Sequence, residues 1–469
     1  MELTCLGHAT LLVTHGARRL LCDPMFAREL SGGGNVIYPY RRVDLDALGA
    51  LDAILLSHHH SDHFALDEIA RLPRAREQRF VVPAGSPLVK PLRAWGATRV
   101  DEVRPGQTVT FGELAVTMTP SAAPFPEMGF LFRHDDVAAL NLVDTRLDGA
   151  LAGPALLALL PPRLSLVLAP FQAGGYQSLW PLRVGGPPRG LVERIARSAQ
   201  RALAQLVADL ARMHPEHVAT FADGIVYRDP QVNAWHFPLP DEAFVAALAA
   251  HGIAGSSAEA GACFEVSKGG VRRRGADPEL VTTSRVPALA RDFDPGVALD
   301  EVPIACHALG ARPRPPTAID VPGLAQRLGI DLQAKLDSMG DGRAPMAAAL
   351  QDWFIELCDV TDEARFLVPE IHGAPARLRV ASAPPAGRQH GLVLHGADVE
   401  LVLAGALALE HLKFSGALRY RSPPVILDED ATEHALFLPL YVLASWENED
   451  PNSEDGVEDE KLVAAADPR

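Results

Sequence analysis

The sequence predicts an α/β protein. Three observations carry this: short apolar strands alternate with helix-like segments over about residues 1–270, two of those strands run directly into His and Asp side chains, and the pattern breaks before resuming in a smaller unit. At 469 residues the chain is too long for one ordinary core, and a content of 48% hydrophobic residues can fill more than one. The expected organisation is a domain over 1–270, an irregular linker over 271–320, a smaller α+β unit over 321–445 and an acidic, disordered tail over 446–469.

Thr10–Thr14 and Arg18–Cys22 flank His15-Gly16-Ala17, so the chain opens with a β-hairpin, and Asp23-Pro24 ends its second strand. Taken locally, Asp23 reads as a plain turn residue. Ala53-Ile54-Leu55-Leu56 is wholly apolar and reads as a buried strand. Helices are expected near Ala65–Leu72 and Ser86–Trp95, with strands at Arg79–Val82, Leu114–Met118 and Gly129–Phe132. Val137–Val143 is a second buried strand that delivers Asp144 at its C-terminal end, and Leu164–Ala169 is a third. From Val192 to Met213 apolar residues recur at helical spacing, which predicts a long amphipathic helix. Val218–Phe221 reads as the last core strand, closing with Ala222-Asp223-Gly224. Past it, Arg272-Arg273-Arg274 reads as a solvated turn in the linker. The last unit is expected to hold helices near Gly323–Leu328, Met346–Cys358 and Asp398–His411, the last capped by Asp398, with strands at Arg377–Val380 and Gly391–His395.

The run Ser57-His58-His59-His60-Ser61-Asp62-His63 follows the first buried strand without a break. In extended geometry His58 and His60 point the same way and can chelate one ion, while Asp62 and His63, in the following turn, reach a second. A chance histidine cluster on a solvated loop needs neither the strand before it nor Asp62 within it. A two-metal hydrolytic site also needs a carboxylate between the ions, and Asp144 fits that role. His-x-His-x-Asp-His resembles the signature of the metallo-β-lactamase superfamily. Gly7-His8-Ala9 and Asp23-Pro24 resemble the opening of its lactonase-like and phospholipase-like branches, which implies for Asp23 the alternative of lying under the metal site, with His8 as an outer-shell candidate. Asn141-Leu142-Val143-Asp144, Ala169–Tyr176 and Phe221–Gly224 resemble the corresponding domain of the CMP-N-acetylneuraminate hydroxylase group and its bacterial relatives.

The resemblance covers about residues 1–270 and implies an αββα sandwich with its metal site between the edges of two sheets. The α+β unit over 321–445 faintly resembles sterol-carrier-like modules. Two ligands of the common pattern are missing. A third histidine, expected near Thr119–Pro124, is absent; Glu127 is the candidate substitute, and His134 falls in a hairpin turn. The final histidine is replaced by Phe221-Ala222-Asp223, leaving Asp223 or the more distant His236, because His217 lies at the wrong end of its strand.

The resemblance implies a metal-dependent hydrolase in which a metal-bound hydroxide attacks an ester, lactone, amide or phosphodiester, Asp62 orienting the hydroxide and ligating the second ion. One or two zinc ions suit such a His-rich open site, with iron or manganese as alternatives. A second class is a non-haem di-iron oxygenase served by a separate reductase, favoured by the branch resemblance and the shortage of histidines. The related hydroxylases carry a Rieske domain, which needs paired Cys and His, and Cys5, Cys22, Cys263, Cys306 and Cys358 form no such pair. A third class is a ligand-binding protein that has lost catalysis. The formal net charge of −16 argues against a nucleic-acid backbone as partner and leaves a small-molecule substrate. Scattered cysteines, the lack of a signal-like N-terminus and the lack of any apolar run near the roughly 18 residues of a membrane helix point to a cytoplasmic protein.

Overall fold

The computed structural model describes residues 1–30, 35–60, 62–123, 125–145, 147, 152–171, 191–222, 225–227, 239–275 and 277–284, and then 319–338, 347, 350–351, 353–371, 375–384, 386–388, 390–404 and 419–421. The chain begins with the meander β1 (Glu2–Gly7), β2 (Thr10–His15) and β3 (Arg18–Cys22). Three short strands, β4 (Glu29–Leu30), β5 (Asn35–Ile37) and β6 (Tyr40–Val43), precede β7 (Ala53–Leu55). Helix α1 (Leu66–Ala70), β8 (Arg79–Pro83), α2 (Val89–Ala94) and β9 (Arg99–Val103) complete the first half. The second half runs β10 (Thr108–Phe111), β11 (Leu114–Thr119), β12 (Gly129–His134), β13 (Val137–Asn141), α3 (Ala152–Leu159), β14 (Leu164–Pro170), α4 (Leu191–Arg212) and β15 (Pro215–Phe221). It ends with β16 (Ile225–Tyr227), α5 (Asp241–Ala250), β17 (Ala254–Ser256), β18 (Ala262–Ser267), β19 (Gly270–Gly275) and β20 (Val281–Ser284).

Two large sheets result, in the orders β19-β18-β1-β2-β3-β7-β8-β9 and β10-β11-β12-β13-β14-β15-β17. Period-two alternation decides which side chains face which layer. Leu3, Cys5, Leu11 and Val13 of the first sheet meet Val116, Met118, Phe130, Phe132 and Leu166 of the second in one core. Their alternates Leu12, Leu21, Ile54 and Phe80 point outward onto Leu66, Ile69, Leu92 and Trp95. On the other outer face, Leu131, Leu140, Val167 and Val218 pack against Val207, Leu210, Phe244 and Leu248 of α4 and α5. These are the four layers of an αββα sandwich, as expected.

Several local expectations are corrected. Val218–Phe221 is not the last core strand: β17 pairs in parallel outside it, and β18 and β19 return to the first sheet. Strand β17 is Ala-Gly-Ser, with no apolar run to reveal it. The Arg272–Arg274 triplet is not a turn but lies on edge strand β19, where Arg272 and Arg274 pair with Glu265 and Arg274 also with Glu2. Past it, β20 pairs with β6, so regular structure extends to Ser284. The helix expected over Met346–Cys358 gives way to β21 (Trp353–Leu357), buried at all five positions.

That strand is central in a sheet completed by β22 (Phe366–Glu370), β23 (Arg377–Ala381), β24 (His390–Leu394) and β25 (Arg419–Arg421), in the order β23-β22-β21-β24-β25. Helices α6 (Val321–Ser338) and α7 (Gly396–Leu403) accompany it. Asp398 does not cap α7; the first N–H groups, of Gly396 and Ala397, donate to the Asp359 carboxylate at 2.6 and 3.2 Å. The rest of the linker and the acidic tail lie outside the described residues.

Gly129 marks how tightly the second sheet is drawn together beside the site described below. A Cβ there would stand 2.6 Å from the Asn141 carbonyl oxygen and 2.7 Å from Thr119 Oγ1. The first of these is backbone on the neighbouring strand and cannot yield without disturbing the pairing of β12 with β13. Gly129→Ala should therefore destabilise the domain by about 1–3 kcal/mol, as overpacking does, read as a lower urea midpoint at unchanged slope.

Candidate metal centre

Strand β7 lies between β3 and β8, parallel to both, and is wholly buried. Its C-terminal end continues through Leu56 and Ser57 to His58, all 0% exposed. The chain then turns: the His63 and Phe64 N–H groups both donate to the His60 carbonyl at 2.9 Å, folding His63 back beneath His58. The two rings come to 4.2 Å between centroids. Across the sandwich the Met128 N–H donates to the Ser57 carbonyl at 3.1 Å, tying the histidine segment to the second sheet. That sheet supplies Asp144 just past β13, after a turn in which the Val143 N–H donates to Asn141 Oδ1 at 3.0 Å. His8 arrives from the end of β1.

The backbone is strained at this end of the strands. His8, Asp23, Val143 and Ala222 all have left-handed φ, at 48°, 41°, 51° and 52°. Such a conformation is uncommon for any residue with a Cβ, and for β-branched Val143 it is an outlier.

Asp23, 0% exposed, accepts three hydrogen bonds from the histidine segment. The Ser57 N–H donates to Oδ1 at 2.8 Å; the Ser57 hydroxyl at 2.7 Å and the His63 Nδ1–H at 3.1 Å donate to Oδ2. With its only proton committed, the Ser57 hydroxyl accepts from His58 Nδ1–H at 2.9 Å. Both imidazoles are thereby held by Nδ1 with Nε2 directed inward, the role carboxylates play behind metal-binding histidines. Asp23 thus lies beneath the site and is no mere turn residue.

His63 Nε2 is buried and makes no hydrogen bond of normal geometry, though Asp144 Oδ2 lies 3.3 Å away and Asp62 Oδ2 3.7 Å. Asp144 Oδ1 is likewise buried and unpartnered. Donor atoms of His58, His63 and Asp144 fall within 4.8 Å of one another, and so do those of His8, Asp62 and His63. His60 Nδ1 lies 2.9 Å from His58 Nε2. Of the expected ligands, His58, Asp62, His63 and Asp144 fall into these donor sets, while His60 touches only His58; the grouping also differs, because His63 stands between two sets of donors and is not paired with Asp62 alone, the turn at His60 swinging it under His58. A buried nitrogen facing two carboxylates, with a second imidazole alongside, is a donor set that fits a divalent transition-metal ion.

The sequence undervalued His8, whose Nε2–H donates to Asp62 Oδ2 at 3.1 Å. Nothing in Gly7-His8-Ala9 reveals a contact made 54 residues away. Phe125 was missed as well: its ring lies 4.9 Å from that of His60 and stacks at 27° on His58, walling the site with apolar surface. Glu127 is buried and accepts from the Ser121 hydroxyl, and it joins neither donor set. Asp223 and His236 lie outside the described residues. His217, bonded to Ser256, and His134 are far from the site.

Electrostatics follow from these contacts. Burial alone would lower the His63 pKa, but the Asp144 and Asp62 carboxylates outweigh it and hold the imidazolium well above its ordinary 6.5. Burial and the neighbouring His63 and His60 push His58 far down, so it is neutral. Burial would raise Asp62, but His63 and His8 hold it below the usual carboxylate range.

Two outcomes are expected. A raised His63 pKa adds stability that is fully present below 6.5 and is lost as pH rises through the folded value. In the metal-free protein, Asp144→Asn should move the His63 NMR titration midpoint, and that loss of stability, to lower pH. Asp23→Asn, which removes the charge accepting Ser57 and His63, should leave the chain folded but weaken metal binding about 10–100-fold in a chelator competition.

A family model described as a beta-lactamase superfamily domain matches residues 18–161. A UPF0173 metal-dependent hydrolase of Rubrobacter xylanophilus is 30% identical over 230 residues, covering 42% of this chain and 88% of the relative. An uncharacterized protein of Mycobacterium tuberculosis is 34% identical over 121 residues, which span 24% of this chain and only 32% of that protein's length. Among solved structures, CmlA, a diiron beta-hydroxylase from Streptomyces venezuelae, aligns at 15% identity over 58% of this chain and 54% of its own, with a TM-score of 0.38.

Proposed function

Because this chain belongs to the metallo-β-lactamase superfamily, we propose that it is a metal-dependent hydrolase acting on an ester, lactone, amide or phosphodiester of a small molecule. The observation that carries this reading is the buried, unpartnered Nε2 of His63 facing the carboxylates of Asp62 and Asp144 beside neutral His58. His58, His60, Asp62, His63 and Asp144 would hold the ion, which we assign as zinc on the strength of the imidazole-rich set. A bound divalent ion supplies an activated water and electrostatic stabilisation of the developing oxyanion.

The chain's own residues set the rest. Asp62, 33% exposed at its side chain, is the most accessible carboxylate of the set and is aimed by His8. Its low pKa keeps it ionised, so it serves as a hydrogen-bond acceptor that orients the attacking water. Asp23, directly and through Ser57, holds the His63 and His58 rings with Nε2 facing inward. Phe125 excludes water from one side and offers apolar surface to the substrate. The α+β unit over 321–445 we propose as a separate module with a role of its own.

The test is a zinc-loaded protein screened against lactones, thioesters, amides and phosphodiesters. Asp62→Asn should lower kcat by at least about 100-fold on whichever substrate turns over, while retaining most of the metal by elemental analysis. Wild-type turnover in this variant would remove the role given to Asp62. Retention of iron with substrate-dependent oxygen uptake, and no hydrolysis, would replace the hydrolytic reading by an oxidative one.

A further inference from the structure

We propose that His15, Glu113 and His134 form a second site for a divalent transition-metal ion, at the end of the sandwich opposite His58 and Asp144. The placement follows from strand direction. Thr10 starts β2 at the site end, where its hydroxyl donates to the Asp23 carbonyl at 2.8 Å, and His15 is the last residue of β2. His134 ends β12, just before β13 sets off towards Asp144, so the length of that five-residue strand, about 15 Å, separates the two places. Glu113 occupies the tight turn between β10 and β11.

Three hairpin tips thus meet, one from the first sheet and two from the second. A ligating atom of each residue lies within 4.8 Å of the other two. The imidazole centroids are 3.8 Å apart at 41°, and His134 Nδ1 is buried with no hydrogen-bond partner. The tips are packed together, because a Cβ on Gly112 would stand 3.1 Å from the Arg18 guanidinium of the β2–β3 hairpin. That guanidinium is balanced by Asp52 at 2.7 Å, and Asp135 adds a further carboxylate 3.6 Å from His134 Nε2.

Two imidazoles and a carboxylate are the donors that zinc, nickel and copper share. The site is partly exposed, so an ion reaches it from solvent and keeps water in its remaining positions. Lying so far from Asp62, it would clip the two sheets together and take no part in turnover. This inference does not depend on the hydrolytic reading.

The experiment compares three forms of the full chain: parental, His15→Ala with His134→Ala, and Glu113→Gln, each titrated with zinc by calorimetry and with cobalt by absorption. The double variant should lose one equivalent of metal, its affinity there falling at least about 100-fold, and should keep the remaining metal. Glu113 is exposed, so Glu113→Gln leaves packing untouched and should weaken the same equivalent about 10-fold and alter the cobalt bands. A Glu113→Gln chain with parental stoichiometry, affinity and cobalt spectrum would overturn the proposal even if the double variant failed to fold.

Discussion

Everything at the candidate metal centre hangs on a buried carboxylate. An ionised group at 0% exposure is costly unless every lone pair facing the interior is met, and the groups that meet Asp23 are the backbone and hydroxyl of Ser57 and the ring of His63. Satisfying that charge and aiming the histidines are one and the same act. The Leu55 carbonyl, which receives the Asp23 N–H at 3.0 Å, closes the arrangement from the strand that delivers the histidines. Orientation of the imidazoles is therefore built into the fold before any ion arrives.

Topology explains why the centre lies where it does. The first sheet is antiparallel from β19 to β3 and parallel from β3 to β9; the second is antiparallel from β10 to β13 and parallel from β13 to β17. Asp23 and Ser57 stand at the first change of direction, and Asp144 at the second. The carboxyl ends of β3, β7 and β13 thereby bring Asp23, Ser57, His63 and Asp144 within reach of one another.

This logic also decides what the sequence could reveal. The hairpin of β2 and β3, the strand before His58 and the strand before Asp144 were legible, because continuous apolar runs ending in polar side chains have few other readings. The five candidate residues that those strands deliver stood out for the same reason. Their grouping was not legible, since it depends on two backbone hydrogen bonds to one carbonyl in the turn. His8 and Phe125 were illegible because their roles come from contacts between distant segments. Strand β21 was misread as helix because Met346–Leu350 is rich in helix formers and runs into Trp353–Leu357, whose burial at every position erases the alternation that marks a strand.

The left-handed residues at the carboxyl ends of β1, β3, β13 and β15 make the rim of the centre a store of backbone strain. Each of His8, Asp23, Val143 and Ala222 holds a conformation that costs roughly 1–2 kcal/mol with a Cβ and nothing with glycine. Such conformations persist only where the surroundings over-determine them, and His8 and Asp23 are held by the contacts they make with Asp62, Ser57 and His63. At Val143 and Ala222 glycine would relax the backbone but strip a buried side chain from the core between the sheets, so packing holds the strain in place and the rim of the centre cannot relax one residue at a time.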